Sequence, residues 1–462
     1  MSRRRATLVA GLLVGGLLST APVVQSASGA LMSRSPFGLS VEYPLMEKAL
    51  GSGLCPSPAL VSTLRSLGSP SLRIGGDSQD LAGPNAAYHY PIPPSFWTTL
   101  GCLARESGVS VTVGLNFAEG PPADDLATIA SAEQAIPSSQ LSFSLGNEPD
   151  LYGFSHILPN EPGFTVPAYR PPPWSADAYA SEWASRRAAL GPVPIEGPDL
   201  AGIGWRVRMT RLLEANPPVA MTVHAYPTVA CGSAGAPTTA ARLLSKHASV
   251  GLVEKYAWLL AAARAAHRPA VISESNSGSC GGRPGVSDTP VAGVWAARYV
   301  LAALLAGFAQ VRFHTAGTSY DALAFQPDGS VQVRPLGHAL LFLHRWLPLG
   351  SSVSSPARLP APRGVCPSGC PPSWGVPGRG GSLDPQILAA TVTRGTHTSV
   401  IVSSFSPKPT PFSIAVPGAA KRLRTDTLTI TSAIEAGASV TVRAHSARLM
   451  LAPNTVVAVK LG

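Results

Sequence analysis

The feature that most constrains the fold is an alternation of short apolar runs with helical stretches between residues 37 and 316. Each run is rich in β-branched residues and is followed by a polar residue and a loop rich in Gly, Pro or Asn. Strands that alternate with helical patterns indicate βαβ units and a parallel sheet. The eight runs are Phe37–Tyr43, Ser71–Gly75, Val109–Leu115, Leu141–Leu145, Val193–Glu196, Ala220–His224, Ala270–Ser273 and Ala309–His314. Eight units over about 250–300 residues predict an α/β protein with a (β/α)8 TIM barrel.

Helices are predicted between these strands, including one long helix over Thr238–Ala266. An open, doubly wound sheet is the alternative to a barrel. A GxGxxG motif at the start of the first helix would favour that alternative, and the sequence lacks one. The barrel is therefore the preferred interpretation.

The sequence pattern changes after Leu349. Residues 351–382 are rich in Ser, Pro, Gly and Arg, and from Gln386 onward short alternating strands replace helical stretches. Such a pattern predicts an all-β domain, most simply a β-sandwich. We therefore expect a barrel over residues 31–349 and a C-terminal sandwich over residues 350–462.

The first thirty residues have the pattern of an export signal. Three arginines at positions 3–5 precede the apolar run Thr7–Val24, and the small residues Ser28 and Ala30 follow it. This order is typical of a secretory signal peptide, and an uncleaved membrane anchor is the alternative. We predict that residues 1–30 are a signal peptide, that the protein is secreted, and that no membrane span remains after cleavage.

Six cysteines fit an exported protein in an oxidising compartment. Six cysteines allow 15 pairings, and nearness in the proposed fold favours Cys55–Cys102, Cys231–Cys280 and Cys366–Cys370. A zinc site is the alternative for the last pair. That pair has no second pair of Cys or His at ligand spacing, so we predict neither a metal nor any other cofactor.

The overall charge limits the partners. Only 13% of the residues are charged, which excludes a charge-rich disordered chain or a long coiled coil. The formal net charge is +10, and it stays positive without residues 1–30, which hold three arginines and no acidic residue. No basic run contains interleaved aromatic residues, so nucleic acid is not an expected partner. An acidic glycan, or no charged partner in particular, fits the positive charge better.

The active site of a (β/α)8 barrel lies at the carboxyl ends of its strands. The residues predicted there are Glu42, Tyr43, Arg73, Asp77, Asn116, Asn147, Glu148, Glu196, His224, Tyr226, Glu274 and His314. This set holds no Cys/His cluster, and the chain has no Gly-x-Ser-x-Gly elbow, which argues against a serine hydrolase. Two glutamates on facing strands suit glycoside hydrolysis: one protonates the leaving oxygen, and the other attacks the anomeric carbon or activates a water.

Two motifs carry a resemblance to known enzymes. Glu148 lies in Leu-Gly-Asn-Glu-Pro-Asp-Leu-Tyr after the fourth strand, and Glu274 lies in Val-Ile-Ser-Glu-Ser-Asn-Ser at the end of the seventh. This arrangement resembles the retaining glycosidases of clan A. Together with Leu-Arg-Ile-Gly-Gly-Asp at residues 72–77 and the segment between Glu274 and Asp288, it resembles glycoside hydrolase family 79, which includes heparanases and exo-β-glucuronidases. The resemblance covers the barrel, and the C-terminal β domain fits the second domain of that family.

The resemblance implies a role for each matching residue. Glu148 would be the acid/base, Glu274 the nucleophile, Asn147 a hydrogen-bond partner of the sugar 2-hydroxyl, and Tyr226 the group that orients Glu274. Retaining chemistry requires the two carboxyl groups to lie about 5–5.5 Å apart. Arg73 could keep the nucleophile ionised, and a purely structural salt bridge is its alternative role.

Three further residues are weaker candidates. Asp77 and His224 could contact the sugar, or Asp77 could serve only to shape its loop. His314 fits a structural role at the barrel mouth better than a catalytic one, because nothing in the sequence fixes its tautomer.

One position departs from the family pattern. The family commonly has a tyrosine five residues after the nucleophile, which binds the glucuronate carboxylate together with the following glycine amides. The corresponding residue here is Ser279, followed by Cys280, Gly281 and Gly282. The glycine amides remain, and the serine hydroxyl can donate one hydrogen bond, but it has no ring to pack. Tyr320 is a candidate for the same subsite, with packing against the β domain as its alternative.

The sequence thus predicts a secreted, retaining β-glycosidase of the β-glucuronidase type. A β-glycosidase of the same clan that acts on a neutral sugar is the first alternative, because of Ser279. A carbohydrate-binding protein without catalysis is the second alternative, and the presence of both Glu148 and Glu274 argues against it.

Overall fold

A computed structural model describes residues 31–158, 161, 163–231, 235–326, 328–355, 386–416, 422–429, 435–443 and 446–461. The predicted signal peptide and the predicted Cys366–Cys370 disulfide lie outside these ranges. Among the helices described, none has the length and apolar character needed to cross a bilayer.

Eight parallel strands close into a barrel. Each strand pairs with its neighbours in chain order, and the first strand pairs with the eighth, with Phe37 opposite Val311. The strands are β1 Phe37–Glu42, β2 Ser71–Gly75, β3 Val111–Leu115, β4 Leu141–Leu145, β5 Ile195–Leu200, β6 Ala220–His224, β7 Ala270–Ser275 and β8 Gln310–Thr315. All eight predicted strands are present, so the predicted barrel is confirmed.

The strands are buried along nearly their whole length, as expected for parallel strands covered on both faces. Part of the barrel interior is nonetheless polar. Arg312 of β8 donates to both carboxylate oxygens of Glu196 on β5, at 2.7 and 3.2 Å. Thr112 and Ser142, on β3 and β4, donate hydrogen bonds to the same carboxylate. This buried ion pair thus crosses the barrel interior. The additional hydrogen bonds to the Glu196 carboxylate offset the free-energy cost of removing the two charges from water.

Helices surround the barrel. They are α1 Tyr43–Leu50, α2 Pro58–Ser66, α3 Pro94–Ser107, α4 Pro122–Ala135, α5 Ala176–Leu190, α6 Arg206–Ala215, α7 Ala240–Leu243, α8 Val250–Glu254, α9 Ala257–Ala265, α10 Pro290–Ala306 and α11 Pro335–Trp346. Six of these begin with a proline in the first two positions, where its fixed φ favours helix initiation and its missing N–H costs nothing.

The prediction of one helix over Thr238–Ala266 is wrong. Three shorter helices, α7 to α9, occupy this segment, with a 3-10 turn at Lys246–Ala248. Helix α10 contacts the chain at this interruption: Trp295 donates from its indole nitrogen to the carbonyl oxygen of Ala248, at 2.7 Å, and Arg298 donates to the hydroxyl of Ser249, at 3.2 Å. The carbonyl oxygen of Ala248, which a continuous helix would bond internally, is thus bonded to a neighbouring helix instead.

Two of the three predicted disulfides are present. Cys55–Cys102 joins the loop before α2 to helix α3, and Cys231–Cys280 joins the loop after β6 to the loop after β7. The second disulfide therefore restrains two loops at the carboxyl end of the barrel.

Removal of the first disulfide should destabilise the fold without touching that end of the barrel. The two cysteines are 47 residues apart, and the chain-entropy cost of a loop this long is about 4 kcal/mol. We expect the double variant Cys55→Ala, Cys102→Ala to lose about that much free energy of unfolding in urea. The matched double variant at Cys231 and Cys280 is the comparison. An unchanged urea midpoint for the first variant would contradict the expectation.

The C-terminal segment forms an eight-stranded antiparallel sheet. Its strands are β9 Ser352–Ser354, β10 Ile387–Arg394, β11 His397–Ser404, β12 Thr410–Ala415, β13 Arg422–Leu428, β14 Glu435–Arg443, β15 Ser446–Leu451 and β16 Thr455–Lys460, in the order β9-β10-β11-β16-β13-β14-β15-β12. Apolar side chains from β10, β11 and β16 share one cluster with side chains from β12 and β15. The two ends of the sheet therefore face each other across a common core, as in the sandwich that the sequence predicts.

The sheet packs on the barrel through helix α10. Arg298 is buried and donates to the carbonyl oxygens of Gln386, at 2.8 Å, and Ser403, at 3.3 Å. Its guanidinium lies 4.4 Å from the centre of the Phe405 ring. These contacts anchor β10 and β11 to the helix that follows β7.

Candidate active site

Five of the predicted site residues meet at the carboxyl end of the barrel. Arg73 is on β2, Glu274 is on β7 and His224 is the last residue of β6. Glu148 follows β4 by three residues, and Tyr226 follows β6 by two. Because the carboxyl ends of parallel strands lie at one edge of the barrel, residues far apart in the chain become neighbours here.

Glu274 is held as a carboxylate. Its Oε2 accepts a hydrogen bond from Nη1 of Arg73 at 2.8 Å, and its Oε1 accepts one from the hydroxyl of Tyr226 at 2.8 Å. Burial alone would raise the pKa of Glu274. The positive charges of His314, His224 and Arg73 and the hydrogen bond from Tyr226 outweigh burial and lower that pKa to about 2.

Glu148 lies beside Glu274. One carboxylate oxygen of each residue and one ring nitrogen of His224 lie within 4.8 Å of one another. Oε1 of Glu148 is 2.9 Å from Nδ1 of His224, and the backbone N–H of Glu148 donates to the carbonyl oxygen of Asp199 at 3.1 Å. The side chain of Glu148 is 19% exposed and that of Glu274 is 7% exposed, so Glu148 is the more accessible carboxyl group.

These three side chains are of types that also bind metals. Both carboxylate oxygens of Glu274 are, however, already bonded to Arg73 and Tyr226. A metal cation at this position would lie close to the Arg73 guanidinium and would have to displace it. We therefore assign no metal site, and the expectation that the protein needs no cofactor stays a prediction.

Arg73 combines the two roles that the sequence left open. Its fully buried guanidinium bonds Glu274 and lies 3.3 Å from Oδ2 of Asp199, so it is part of a structural ion pair as well. It also donates to Oδ1 of Asn147, at 2.9 Å, and to Oε1 of Gln79, at 3.0 Å. Arg73 therefore positions the side chain of Asn147 relative to the proposed nucleophile.

The position of Glu196 on the fifth strand differs from the prediction. Glu196 was expected at the end of β5, yet it lies inside the barrel with Arg312, and Asp199 is the acidic residue that reaches the site. The sequence Gly-Pro-Asp resembles a turn, whereas the strand continues through it to Leu200. Burial would raise the pKa of Asp199, but Arg73 and His224 outweigh it and lower this pKa.

His314 is a further positive charge near Glu274. Its Nε2 lies 3.0 Å from Oε1 of Glu42, and its Nδ1 lies 3.5 Å from Oε2 of Glu274. Burial would lower the pKa of His314, but the charges of Glu274 and Glu42 raise it to about 9. His314 thus contacts the proposed nucleophile directly.

Asp77 completes this side of the site. Its Oδ1 is 3.5 Å from Nδ2 of Asn147. Burial and the negative charges of Glu42 and Glu148 raise the pKa of Asp77 well above its usual value. Asp77 therefore accepts a hydrogen bond from Asn147 in surroundings that favour the neutral form of its carboxyl group.

Ser279 and Gly281 lie in the loop after β7 and Tyr320 lies in the loop after β8. The two loops are joined by a hydrogen bond from the hydroxyl of Ser319 to the carbonyl oxygen of Gly281, at 2.8 Å. Gly281 and Gly282 both have positive φ, and a Cβ on Gly281 would lie 3.0 Å from the side chain of Thr318. Tyr320 is buried, and its ring centre is 5.9 Å from that of His314. Tyr320 therefore lies beside the site, and its contact with His314 favours this position over the alternative of packing on the β domain.

Tyr226 offers a direct test of how Glu274 is held ionised. In Tyr226→Phe the Glu274 carboxylate loses a charge-assisted hydrogen bond, worth about 1.5–3 kcal/mol, so its pKa rises. We expect the acid limb of the kcat/KM profile to move up by about one to two pH units. The measurement is a pH–rate profile between pH 3 and pH 8.

The free energy of unfolding should also depend on pH through the lowered pKa of Glu274. A lowered pKa contributes stability above the unfolded pKa of about 4.3, and this is lost as the pH falls toward 2. Tyr226→Phe should therefore be less stable than the wild type at pH 6 and nearly equal at pH 2. Tyr43→Phe is the control, because the Tyr43 hydroxyl bonds only the carbonyl oxygen of Gly114. An acid limb that moves equally in both variants would contradict this role of Tyr226.

Comparisons with known proteins identify enzymes that are similar to this chain. No protein-family model matches the chain. A beta-glucuronidase of Neurospora crassa is 25% identical over an alignment of 337 residues that covers 62% of this chain and 58% of that protein. A beta-glucuronidase of Aspergillus niger is 25% identical over an alignment of 308 residues that covers 56% of this chain and 53% of that protein. The chain thus has beta-glucuronidases as homologues. Its alignments span only a little more than half of their lengths.

Solved structures share the fold over nearly the whole chain. A 4-O-alpha-L-rhamnosyl-beta-D-glucuronidase from Fusarium oxysporum superposes with a TM-score of 0.69 at 20% identity, covering 94% of this chain and 97% of its own. A family 51 arabinofuranosidase from Xanthomonas axonopodis gives a TM-score of 0.64 at 14% identity, covering 94% and 98%. The fold is therefore that of these glycoside hydrolases, a TIM barrel with an additional antiparallel sheet.

Proposed function

We propose that this protein is a retaining β-glycosidase and, more specifically, a β-glucuronidase resembling glycoside hydrolase family 79. The observation that carries the proposal is the pairing of Glu148 with Glu274. Their nearest oxygens lie within 4.8 Å, which fits the separation of about 5–5.5 Å in retaining enzymes and not the 6.5–9.5 Å of inverting ones. The beta-glucuronidase homologues support the same reading of the pair.

The first chemical step uses the two carboxyl groups differently. Glu274, already ionised, attacks the anomeric carbon and forms a glycosyl ester, while Glu148 gives a proton to the departing oxygen. Tyr226 and Arg73 hold the two oxygens of Glu274 in fixed directions, so the attacking lone pair is aimed before the substrate arrives. Asn147, whose side-chain oxygen accepts a hydrogen bond from Arg73, would bond the sugar 2-hydroxyl.

The second step releases the sugar. Glu148, now a carboxylate, takes a proton from a water molecule, and that water attacks the anomeric carbon and breaks the ester to Glu274. Two inversions at one carbon leave the product with the configuration of the substrate. Glu148 thus serves as acid and then as base, which suits the more exposed of the two carboxyl groups.

The loops after β7 and β8 support an acidic sugar. In this proposal the N–H of Gly281 and the hydroxyls of Ser279 and Tyr320 offer neutral donors to a carboxylate. The N–H of Gly282 donates to the carbonyl oxygen of Ser279, at 3.4 Å. Ser279 also favours the second candidate, a β-glycosidase for neutral sugars, because the ring that the family places there is absent. The disulfides support secretion, since such bonds persist in oxidising compartments.

A panel of matched substrates tests the proposal. Purified protein is incubated with aryl β-glucuronide, β-glucoside, β-galactoside and β-xyloside, with Glu274→Gln as the control. Turnover of the glucuronide that disappears in the variant is the expected result. Turnover of a neutral sugar alone would favour the second candidate, and no turnover of any substrate by the wild type would contradict both.

A further inference from the structure

His224 lies between the two proposed catalytic carboxylates. Its Nδ1 is 2.9 Å from Oε1 of Glu148 and 3.9 Å from Oε1 of Glu274. The imidazole is fully buried, and its Nε2, which has no hydrogen-bond partner among the described residues, faces Oδ1 of Asp199 at 3.8 Å. Since carboxylate oxygens lack hydrogen atoms, the close contact between His224 and Glu148 requires a proton on one of the two groups.

The charges around the ring favour that proton on the imidazole. Burial would lower the pKa of His224, and Arg73 acts in the same direction. The carboxylates of Glu274, Glu148 and Asp199, which approach from β7, the β4 loop and β5, outweigh both and raise that pKa. The buried ring therefore has three acidic groups and one guanidinium around it, and this balance favours the charged imidazolium.

We propose that His224 stores the proton that Glu148 delivers to the leaving group, so that the two side chains act as one acid/base unit. This inference rests on the proposed role of Glu148. In the resting enzyme the pair holds one transferable proton, bonded to Nδ1 of His224. The carboxylate of Glu148 is partly exposed, and a turn about its last side-chain torsion, which is a soft one, would carry that proton from the ring to the substrate.

The proton transfers follow the charge of Glu274. As Glu274 bonds to the anomeric carbon it loses its negative charge, the imidazolium 3.9 Å away loses a stabilising neighbour, and its Nδ1 proton passes through Glu148 to the leaving oxygen. The bare Nδ1 lone pair then faces the Glu148 carboxylate. In the second step a water proton passes through Glu148 back to Nδ1, while the hydroxide oxygen bonds to carbon and Glu274 leaves as a carboxylate.

An NMR titration tests the location of the proton without any turnover. Wild type, Glu148→Gln and Glu274→Gln are labelled with ¹⁵N-histidine, and His224→Asn assigns the His224 signals among the ten histidines of the chain. We expect His224 to be an imidazolium at pH 7 in the wild type. Each Gln variant should lower its titration midpoint by about one pH unit. A neutral ring at pH 7, or a midpoint unmoved by Glu148→Gln, would overturn the inference.

Kinetics of His224→Asn test the use of the proton. Asparagine retains an N–H donor for Glu148 but stores no transferable proton. We expect kcat/KM for an alkyl glucuronide, whose departure needs acid, to fall about 100-fold, and kcat/KM for a nitrophenyl glucuronide to fall far less. The basic limb of the pH profile should move to lower pH. Equal losses on both substrates with an unchanged profile would reduce His224 to a structural role.

Tyr256→Phe is the matched control. The Tyr256 hydroxyl bonds the carbonyl oxygen of His224 at 2.7 Å, so its loss disturbs the same residue without touching the imidazole. This variant should keep the wild-type dependence on leaving group and pH. If the wild type hydrolyses no glycoside, the proposed function fails, and the NMR titration still decides where the proton lies.

Discussion

Glu274→Ala is expected to lose about 10⁴-fold or more in kcat, the scale seen when a nucleophile is removed from other hydrolases. Sodium azide should restore part of this activity, because the small cavity left by the side chain admits an external nucleophile. The azide attacks the anomeric carbon from the side that Glu274 occupies, so the product should be an α-glycosyl azide. Proton NMR of the product distinguishes it from the β-anomer.

Glu148→Ala is the matched variant for this experiment. Its glycosyl-enzyme forms normally from a substrate with a good leaving group, and azide then replaces water in the second step. The product should be a β-glycosyl azide. If the two variants gave the same anomer, or if the two anomers were exchanged between them, the assignment of nucleophile and acid/base would be wrong.

Arg73→Met should combine a large loss of stability with a change in pH dependence. The substitution leaves two buried carboxylates, Glu274 and Asp199, without their cation, and breaking a buried pair in this way costs about 3–5 kcal/mol. The pKa of Glu274 should rise, because one of the charges that lower it is gone. Urea unfolding and the acid limb of kcat/KM measure the two effects.

Arg312→Met separates the two effects. Arg312 is equally buried and pairs with Glu196 inside the barrel, so its removal should also cost about 3–5 kcal/mol. It does not contact Glu274, and the acid limb of the surviving folded enzyme should stay in place. An equal shift of the acid limb in both variants would show that Arg73 acts only through general stability.

The site residues that could be predicted from the sequence are those marked by the short segment of chain around them. Glu148, Glu274 and Tyr226 each follow an apolar run that could only be a strand, so their place at the barrel mouth followed from their order in the chain. Ser40 and Glu274 are 234 residues apart, and no local pattern marks Ser40 as a neighbour of the nucleophile. Asp199 was missed because its Gly-Pro-Asp context is also that of a turn.

The same distinction holds for the fold. The eight strands were predictable because hydrophobic periodicity is a property of short segments. The break in the helix over Thr238–Ala266 was not, since the hydrogen bond to Ala248 at this break comes from Trp295, on another helix. The partner of His224 was equally hidden, because the sequence shows a histidine at a strand end and not the carboxylate across from it.

The backbone at Glu148 has an evolutionary consequence. Glu148 has φ 48° and ψ 52°, a left-handed conformation that glycine and asparagine adopt more readily than glutamate. Holding another residue type in this conformation costs about 1–3 kcal/mol. A lineage that no longer required Glu148 could gain stability by exchanging it for glycine. If Glu148 is the acid/base proposed above, glutamate at this position serves chemistry at the expense of stability, and glycine here would mark a descendant without that chemistry.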